Sequence, residues 1–170
     1  LDFIDYKILA ILQEDVSASV ADVASRVGLS QTPCWKRIQK LESTGVIARR
    51  VAILSPEAVG LGLTVYVSIV VGEHSEEWLE NFTNQINDMP EVVEFYRMAG
   101  DIDYLLKVVA ENIAQFDEFY KRLLRISTFK NVASRFAMER IKSTTALPLE
   151  ARLKRSGDRR EKKPAEISAR

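Results

Sequence analysis

The chain has 170 residues, 46% hydrophobic and 28% charged, with 24 basic side chains balanced by 24 acidic ones; this composition excludes collagenous and wholly disordered classes and leaves room for one domain or two small ones. A single cysteine excludes an internal disulfide framework. The longest mostly apolar stretch, around Leu61 to Val71, is well short of the ~20 residues a membrane helix needs, and no charged-then-apolar leader opens the sequence, so a reducing, cytoplasmic setting is expected.

Phe3, Ile4, Ile8, Leu9, Ile11 and Leu12 recur at helical spacing, and Asp2 stands where it caps the start of that first helix. Val20, Val23, Ala24 and Val27 predict a second, shorter helix ending at Gly28, which adopts a left-handed cap readily. A third follows, with Ser30 as N-cap, Pro33 tolerated in the first turn and Gly45 closing the segment. Two short helices joined by a Gly-containing turn form a helix-turn-helix, whose second helix enters the major groove. On a wheel of about 100° per residue, Ile38 and Leu41 fall within about 40° of Cys34 and make the stripe that faces the other helices. Thr32, Lys36, Gln39 and Lys40 lie opposite, combining base-edge donors and acceptors with phosphate-binding cations. Ser30, Gln31 and Pro33 extend this face at the helix start, where backbone N–H groups meet a phosphate. Arg37 borders the core stripe and serves either DNA or a structural ion pair; Trp35 either packs on its own domain or lies along the sugar backbone. The DNA-contacting set is therefore Ser30, Gln31, Thr32, Pro33, Lys36, Arg37, Gln39 and Lys40.

Charge distribution restricts where a polyanion can bind. Residues 1–50 hold 7 basic and 6 acidic groups, residues 51–150 hold 9 and 15, and residues 151–170 hold 8 and 3. From Arg26 to Arg50 six basic groups stand against Glu42 alone, while the acidic middle repels DNA. Residues 51–62 read as an extended linker, broken by Pro56 and Gly60.

Beyond the linker the period changes. Leu63, Val65, Val67, Ile69 and Val71 alternate with Thr64, Tyr66 and Ser68 as a half-buried strand, and Trp78, Leu79, Phe82 and Ile86 return to helical spacing. Strands follow at Glu91 to Met98 and Tyr104 to Ala110, joined by a Gly-Asp-Ile-Asp turn. Asn112 and Gln115 then make a capping box before Ile113, Phe116, Phe119, Tyr120, Leu123 and Leu124. A last strand is predicted from Val132 to Ile141. The order is βαββαβ, ferredoxin-like, so the fold class is α+β: a three-helix winged/helix-turn-helix domain (1–50), the linker, a ferredoxin-like domain (63–148) and a charged, disordered tail (149–170). Two helices cover one face of such a sheet. The partly apolar other face calls for a partner, and two copies stacked sheet to sheet would set two recognition helices on one duplex.

No catalytic or metal constellation accompanies these elements. His74 lacks a triad or ligand partner, Gly60-Leu61-Gly62 is too short for a dinucleotide loop, and the Asn81-Phe82-Thr83 sequon lies in a predicted helix. Cys34 is explained by core packing, with a redox-sensing thiol as the alternative. An enzyme on this scaffold would need a nucleophile or convergent ionisable cluster, and none is offered; no cofactor is expected.

The opening LDFIDYKILAILQEDVSASVADVASRVGLSQTPCWKRIQKLESTGVI resembles the DNA-binding half of the Lrp/AsnC family of transcriptional regulators, in its LDxxDxxIL start, its GLS turn and the stretch SQTPCWKRIQKLESTGVI. MAGDIDYLLKVV at Met98 to Val109 and NVASRFAMERIKSTTALP near the end are similar to that family's regulatory (RAM) domain. The resemblance spans Leu1 to Pro148. It implies a homodimer that assembles further, to tetramer or octamer, and an amino-acid-like effector bound where the Gly-Asp-Ile-Asp turn lies between dimers. Met98, Gly100, Asp101, Ile102 and Asp103 carry over from the loop, and Ser134 and Phe136 from the facing last strand. The alternative for Asp101 and Asp103 is a simple hairpin turn, in which Gly and Asp are common for backbone reasons. The expected function is a sequence-specific regulator of double-stranded DNA that responds to a small effector; the alternative is an architectural, largely non-specific DNA-organising protein.

Overall fold

A computed structural model describes residues 1–72 and 75–154, in two units: residues 1–52 together with residues 142 onward, and residues 53–141. In the first, helix α1 (Phe3–Leu12) opens with a reciprocal capping box in which the Asp2 and Asp5 carboxylates each accept the other's N–H at 2.9 Å. Helix α2 (Val20–Val27) is capped by Ser19, which accepts the Asp22 N–H, and ends at Gly28 with φ 74°, where a side chain would be strained. Helix α3 (Gln31–Ser43) buries Cys34, Ile38 and Leu41 in one cluster with Ile4, Ile8, Ile11, Val23, Ala24 and Val27. Each buried Ile, Leu or Val contributes roughly 1.5–3 kcal/mol, which is what holds together three helices too short to persist alone in water. Between α3 and Leu63 the described residues form no strand.

The chain rejoins this unit after Ile141. The Gln13 carboxamide donates to the Leu147 carbonyl at 3.0 Å and accepts the Leu147 N–H at 2.9 Å, so a side-chain amide does what a strand neighbour would do. The second compact unit consequently closes at Ile141. Residues 150–154 form a helical turn, with the Leu153 N–H on the Leu149 carbonyl. The rest of the tail, residues 155–170, and the His74 expectation fall outside the described residues.

The second unit follows the predicted order: β1 (Leu63–Val71), α4 (Glu76–Asn87), β2 (Val92–Arg97), β3 (Tyr104–Ala110), α5 (Ile113–Ile126) and β4 (Phe129–Phe136). The sheet runs β2-β3-β1-β4 with every pairing antiparallel. Strict alternation sorts its faces: Val65, Val67 and Ile69 pair with Val108, Leu106 and Tyr104 and are buried with Phe82, Ile86, Phe116, Phe119 and Leu123 of the two helices. Phe82 lies at the centre, stacked on Trp78 and edge-on to Phe95 and Phe129. The Asn112 side chain accepts the Gln115 N–H as expected, while the Gln115 side chain reaches back to the Glu111 N–H. Strand β4 differs from its expected limits, Val132 to Ile141. An irregularity at Val70/Val71 lets Phe129 pair with Val71, and the Ala137 N–H on the Thr64 carbonyl is the last rung because β1 starts at Leu63.

Candidate functional site

The outward face of α3 is built by what lies beneath it. With Cys34, Ile38 and Leu41 each at most 3% exposed, the helix cannot rotate, and Ser30, Gln31, Thr32, Pro33, Lys36, Gln39 and Lys40 are all exposed. Ser30 occupies the N-cap position but makes no side-chain capping bond. The reason is Pro33: it stands three residues on, where a cap usually finds its donor, and it has no N–H to give. The Ser30 hydroxyl is thus left beside a positive helix end, an arrangement suited to a phosphate oxygen.

Arg37 makes the structural ion pair that was the alternative to a DNA contact. Its Nη1 lies 2.7 Å from Asp2 Oδ2 and 2.6 Å from Asp5 Oδ1, tying α3 to the start of α1. Burial works against the Asp2 carboxylate, but the Asp5 N–H and the Arg37 guanidinium outweigh it and hold the carboxyl below its ordinary range. Burial also pushes the Cys34 thiol up, against the opposing pull of Arg37; a protonated, buried thiol is a packing residue and a poor redox sensor. Trp35 is 51% exposed and therefore does not pack into its own domain's core. Sequence reasoning missed Glu42 and Arg50, which join Gln39 in a network: Gln39 Nε2 donates to Glu42 at 3.1 Å and Arg50 Nη2 lies 2.7 Å from the same carboxylate. The signal that marked Glu42 was its being the lone acid in a basic stretch.

The second candidate region is the loop between β2 and β3. Met98, Gly100 and Asp101 are exposed and Ile102 is half-buried. Gly100 has φ 137°, and a Cβ there would meet nothing within 4 Å, so glycine is needed for backbone conformation and not for space. Asp103 has a structural task. Its Oδ2 accepts the Val71 N–H at 2.8 Å, its own N–H donates to the Ile69 carbonyl at 2.9 Å, and its carbonyl accepts the Met98 N–H at 2.8 Å. The loop is thereby stitched to the end of β1, and Asp101 is the carboxylate of the pair with no such bond.

Ser134 and Phe136 do not join this loop within the chain. Ser134 pairs with Val67 at the middle of β1 and Phe136 with Val65 toward its far end, on the edge strand across β1 from β3. From Val65 to Val71 is six residues, about 20 Å of strand. Phe136 instead meets Phe116 edge-on, ring centres 5.3 Å apart. Among the described residues no group of three or more His, Cys, Asp or Glu is placed to hold a metal ion, and no helix is long and apolar enough to cross a membrane.

Comparison with known proteins fits both regions. Residues 1–42 match the AsnC-type helix-turn-helix domain and residues 64–147 the Lrp/AsnC ligand binding domain. The chain belongs to the Lrp/AsnC family: it is a DNA-binding transcriptional regulator with a ligand-binding domain, and not an enzyme. It is 48% identical over 149 residues to the glutamate uptake regulatory protein of Zymomonas mobilis, covering 88% of this chain and 91% of that one. It is also 48% identical over 151 residues to the DNA-binding transcriptional activator DecR of Escherichia coli, covering 88% and 99%. Among solved structures, an AsnC family transcriptional regulator from Agrobacterium tumefaciens superposes with a TM-score of 0.86 at 56% identity, covering 89% and 99%. A transcriptional regulator from Neisseria meningitidis, in complex with L-methionine, gives 0.84 at 34% identity, covering 89% and 98%.

Proposed function

We propose that this regulator binds operator DNA as a homodimer through Ser30, Gln31, Thr32, Pro33, Lys36, Gln39 and Lys40 of each copy, and that an amino acid controls its further assembly to tetramer or octamer. The observation that carries the reading is the separation of the loop from Ser134 and Phe136. One chain holds Met98, Gly100, Asp101 and Ile102 at one end of β1, with Ser134 opposite the strand's middle and Phe136 toward its other end, so a ligand contacting both the loop and Phe136 bridges two copies. A ligand so placed binds the assembled state more tightly than the separated one, which is the condition for it to shift assembly at all. Asp101 pairs with the ligand's ammonium group, and the open backbone at Gly100 offers N–H groups to its carboxylate. The L-methionine complex of the Neisseria meningitidis relative supports an amino acid as the ligand class.

Light scattering across the twenty amino acids, with and without a duplex selected from a randomised pool, tests this. At least one amino acid is expected to change the assembled mass, and Asp101→Ala to lose that response while retaining ligand-free DNA affinity. Unchanged calorimetric ligand binding by Asp101→Ala would remove Asp101 from the site. A protein that binds all duplexes equally, with no mass response to any amino acid, would be the architectural DNA-organising type.

A further inference from the structure

We propose that Glu42 is a positioning residue for base recognition: anchored by Arg50, it holds the Gln39 carboxamide in the one orientation that pairs with adenine. The inference rests on the reading of α3 as the helix that contacts bases.

The two oxygens of the Glu42 carboxylate have separate tasks. Oε1 accepts Arg50 Nε at 2.9 Å and Arg50 Nη2 at 2.7 Å, and Oε2 accepts Gln39 Nε2 at 3.1 Å. Gln39 and Glu42 are three apart, on neighbouring positions of one helix face. A carboxylate only accepts, so the end of the Gln39 amide that faces it must be the NH₂ and never the carbonyl. That amide nitrogen carries two hydrogens. With the one directed away from the Gln39 carbonyl oxygen given to Glu42, as the proposal requires, the other stands beside Gln39 Oε1 as a donor and acceptor side by side. This is the pair that meets N7 and the N6 amino group on the major-groove edge of adenine. Guanine presents two acceptors there and would leave Oε1 facing O6 or N7 with no proton between them.

Arg50 explains how an acid is tolerated at this place. Glu42 is the one acidic residue from Arg26 to Arg50, close to the face that meets phosphates, and an uncompensated carboxylate there repels DNA. Paired with Arg50 it keeps its acceptor oxygens while its charge is offset. A glutamine side chain free to sample its rotamers loses that freedom on binding. Tethered to Glu42, it has lost much of it beforehand, so base discrimination is sharpened with no added contact.

The test is selection of bound sequences from a pool of duplexes with a randomised central region, using the full-length protein, Gln39→Ala, Glu42→Ala and the double variant. The wild type is expected to prefer adenine at one position of each half-site by about tenfold. Gln39→Ala and Glu42→Ala should each flatten that position to within about twofold, the double variant no further than either, with the other positions unchanged. Retained preference at those other positions also reports that each variant folds, and a loss of stability would not erase one position alone. If Glu42→Ala keeps the preference that Gln39→Ala abolishes, the positioning role falls while base reading by α3 stands. If Gln39→Ala leaves every position intact, Gln39 does not read a base and the positioning role falls with it, while the retained preferences keep base reading by the rest of α3. A base other than adenine at the position sensitive to Gln39 overturns the assignment of the amide's orientation.

Discussion

The outward face of α3 and the outer face of the sheet both carry charged side chains, but they handle charge in opposite ways. On α3, Lys36 and Lys40 are exposed and make no ion pair among the described residues. On the sheet, Lys107 lies 2.8 Å from Glu94, the Tyr96 hydroxyl donates to the same carboxylate at 2.9 Å, and Arg135 donates to Ser68 at 2.7 Å. The Lys107 ammonium and the Tyr96 hydroxyl hold the Glu94 carboxyl below its ordinary range against the effect of burial, and Glu94 in turn lifts Lys107. A lysine open to water exchanges its counterions for a phosphate with little desolvation cost. A closed pair presents almost no net charge, and with Tyr66, Leu105 and Val109 on the same face it suits burial against a second protein surface. On the function proposed above, the first face meets a polyanion and the second a copy of itself.

The largest expected effect comes from opening the closed pair. In the proposed dimer, Glu94→Ala would leave an ammonium buried unpaired between two sheets, so dimer association measured by sedimentation should weaken by about 3 kcal/mol or more. Glu94→Leu with Lys107→Leu, which removes both charges, should restore most of it. Undiminished association of Glu94→Ala would mean that the outer face stays wet. Next in size is the open face: Lys36→Ala with Lys40→Ala should lower affinity for all duplexes alike and flatten the slope of log affinity against log salt by about two units. An unchanged slope in anisotropy titrations would place both lysines away from phosphates.

The same contrast explains what could be read from the sequence. The face of α3 follows from periodicity alone, because burial of Cys34, Ile38 and Leu41 fixes by rotation where Thr32, Lys36, Gln39 and Lys40 point. Strand alternation in β1 and β3 is equally local, and the βαββαβ order follows from it. What periodicity does not carry is pairing between distant residues. Nothing in the spacing of the Gly-Asp-Ile-Asp turn says that Asp103 accepts the Val71 N–H while Asp101 stays open, since that depends on β1 and β3 lying side by side. Nor does it say that Gln13 fastens Leu147, or that β4 stops at Phe136 because its partner strand has ended. Ser30 was legible as a cap position, and Pro33 was legible too; their combination, a cap without its donor, needed the two facts to be joined.

Arg37 tests the comparison at its finest point, because it is a cation on the open helix that behaves like the closed pairs of the sheet. Its bonds to Asp2 and Asp5 join α1 to α3, and a partly exposed pair of this kind contributes about 1 kcal/mol. The Asp2 carboxyl is held below its ordinary range, so the stability it contributes is present above the ordinary carboxylate value and is lost as pH falls through the lowered one. In a chain carrying Trp78→Phe, the fluorescence of Trp35 reports unfolding of the helical unit. There, Arg37→Ala should lower stability in urea by about 1 kcal/mol at neutral pH, and the difference from the parent should shrink in acid as Asp2 is protonated in both. The salt slope of DNA binding should not move, since Arg37 is already committed to carboxylates. A slope flattened by about one unit, with stability unchanged at every pH, would instead put the guanidinium on a phosphate and return Arg37 to the DNA-contacting set.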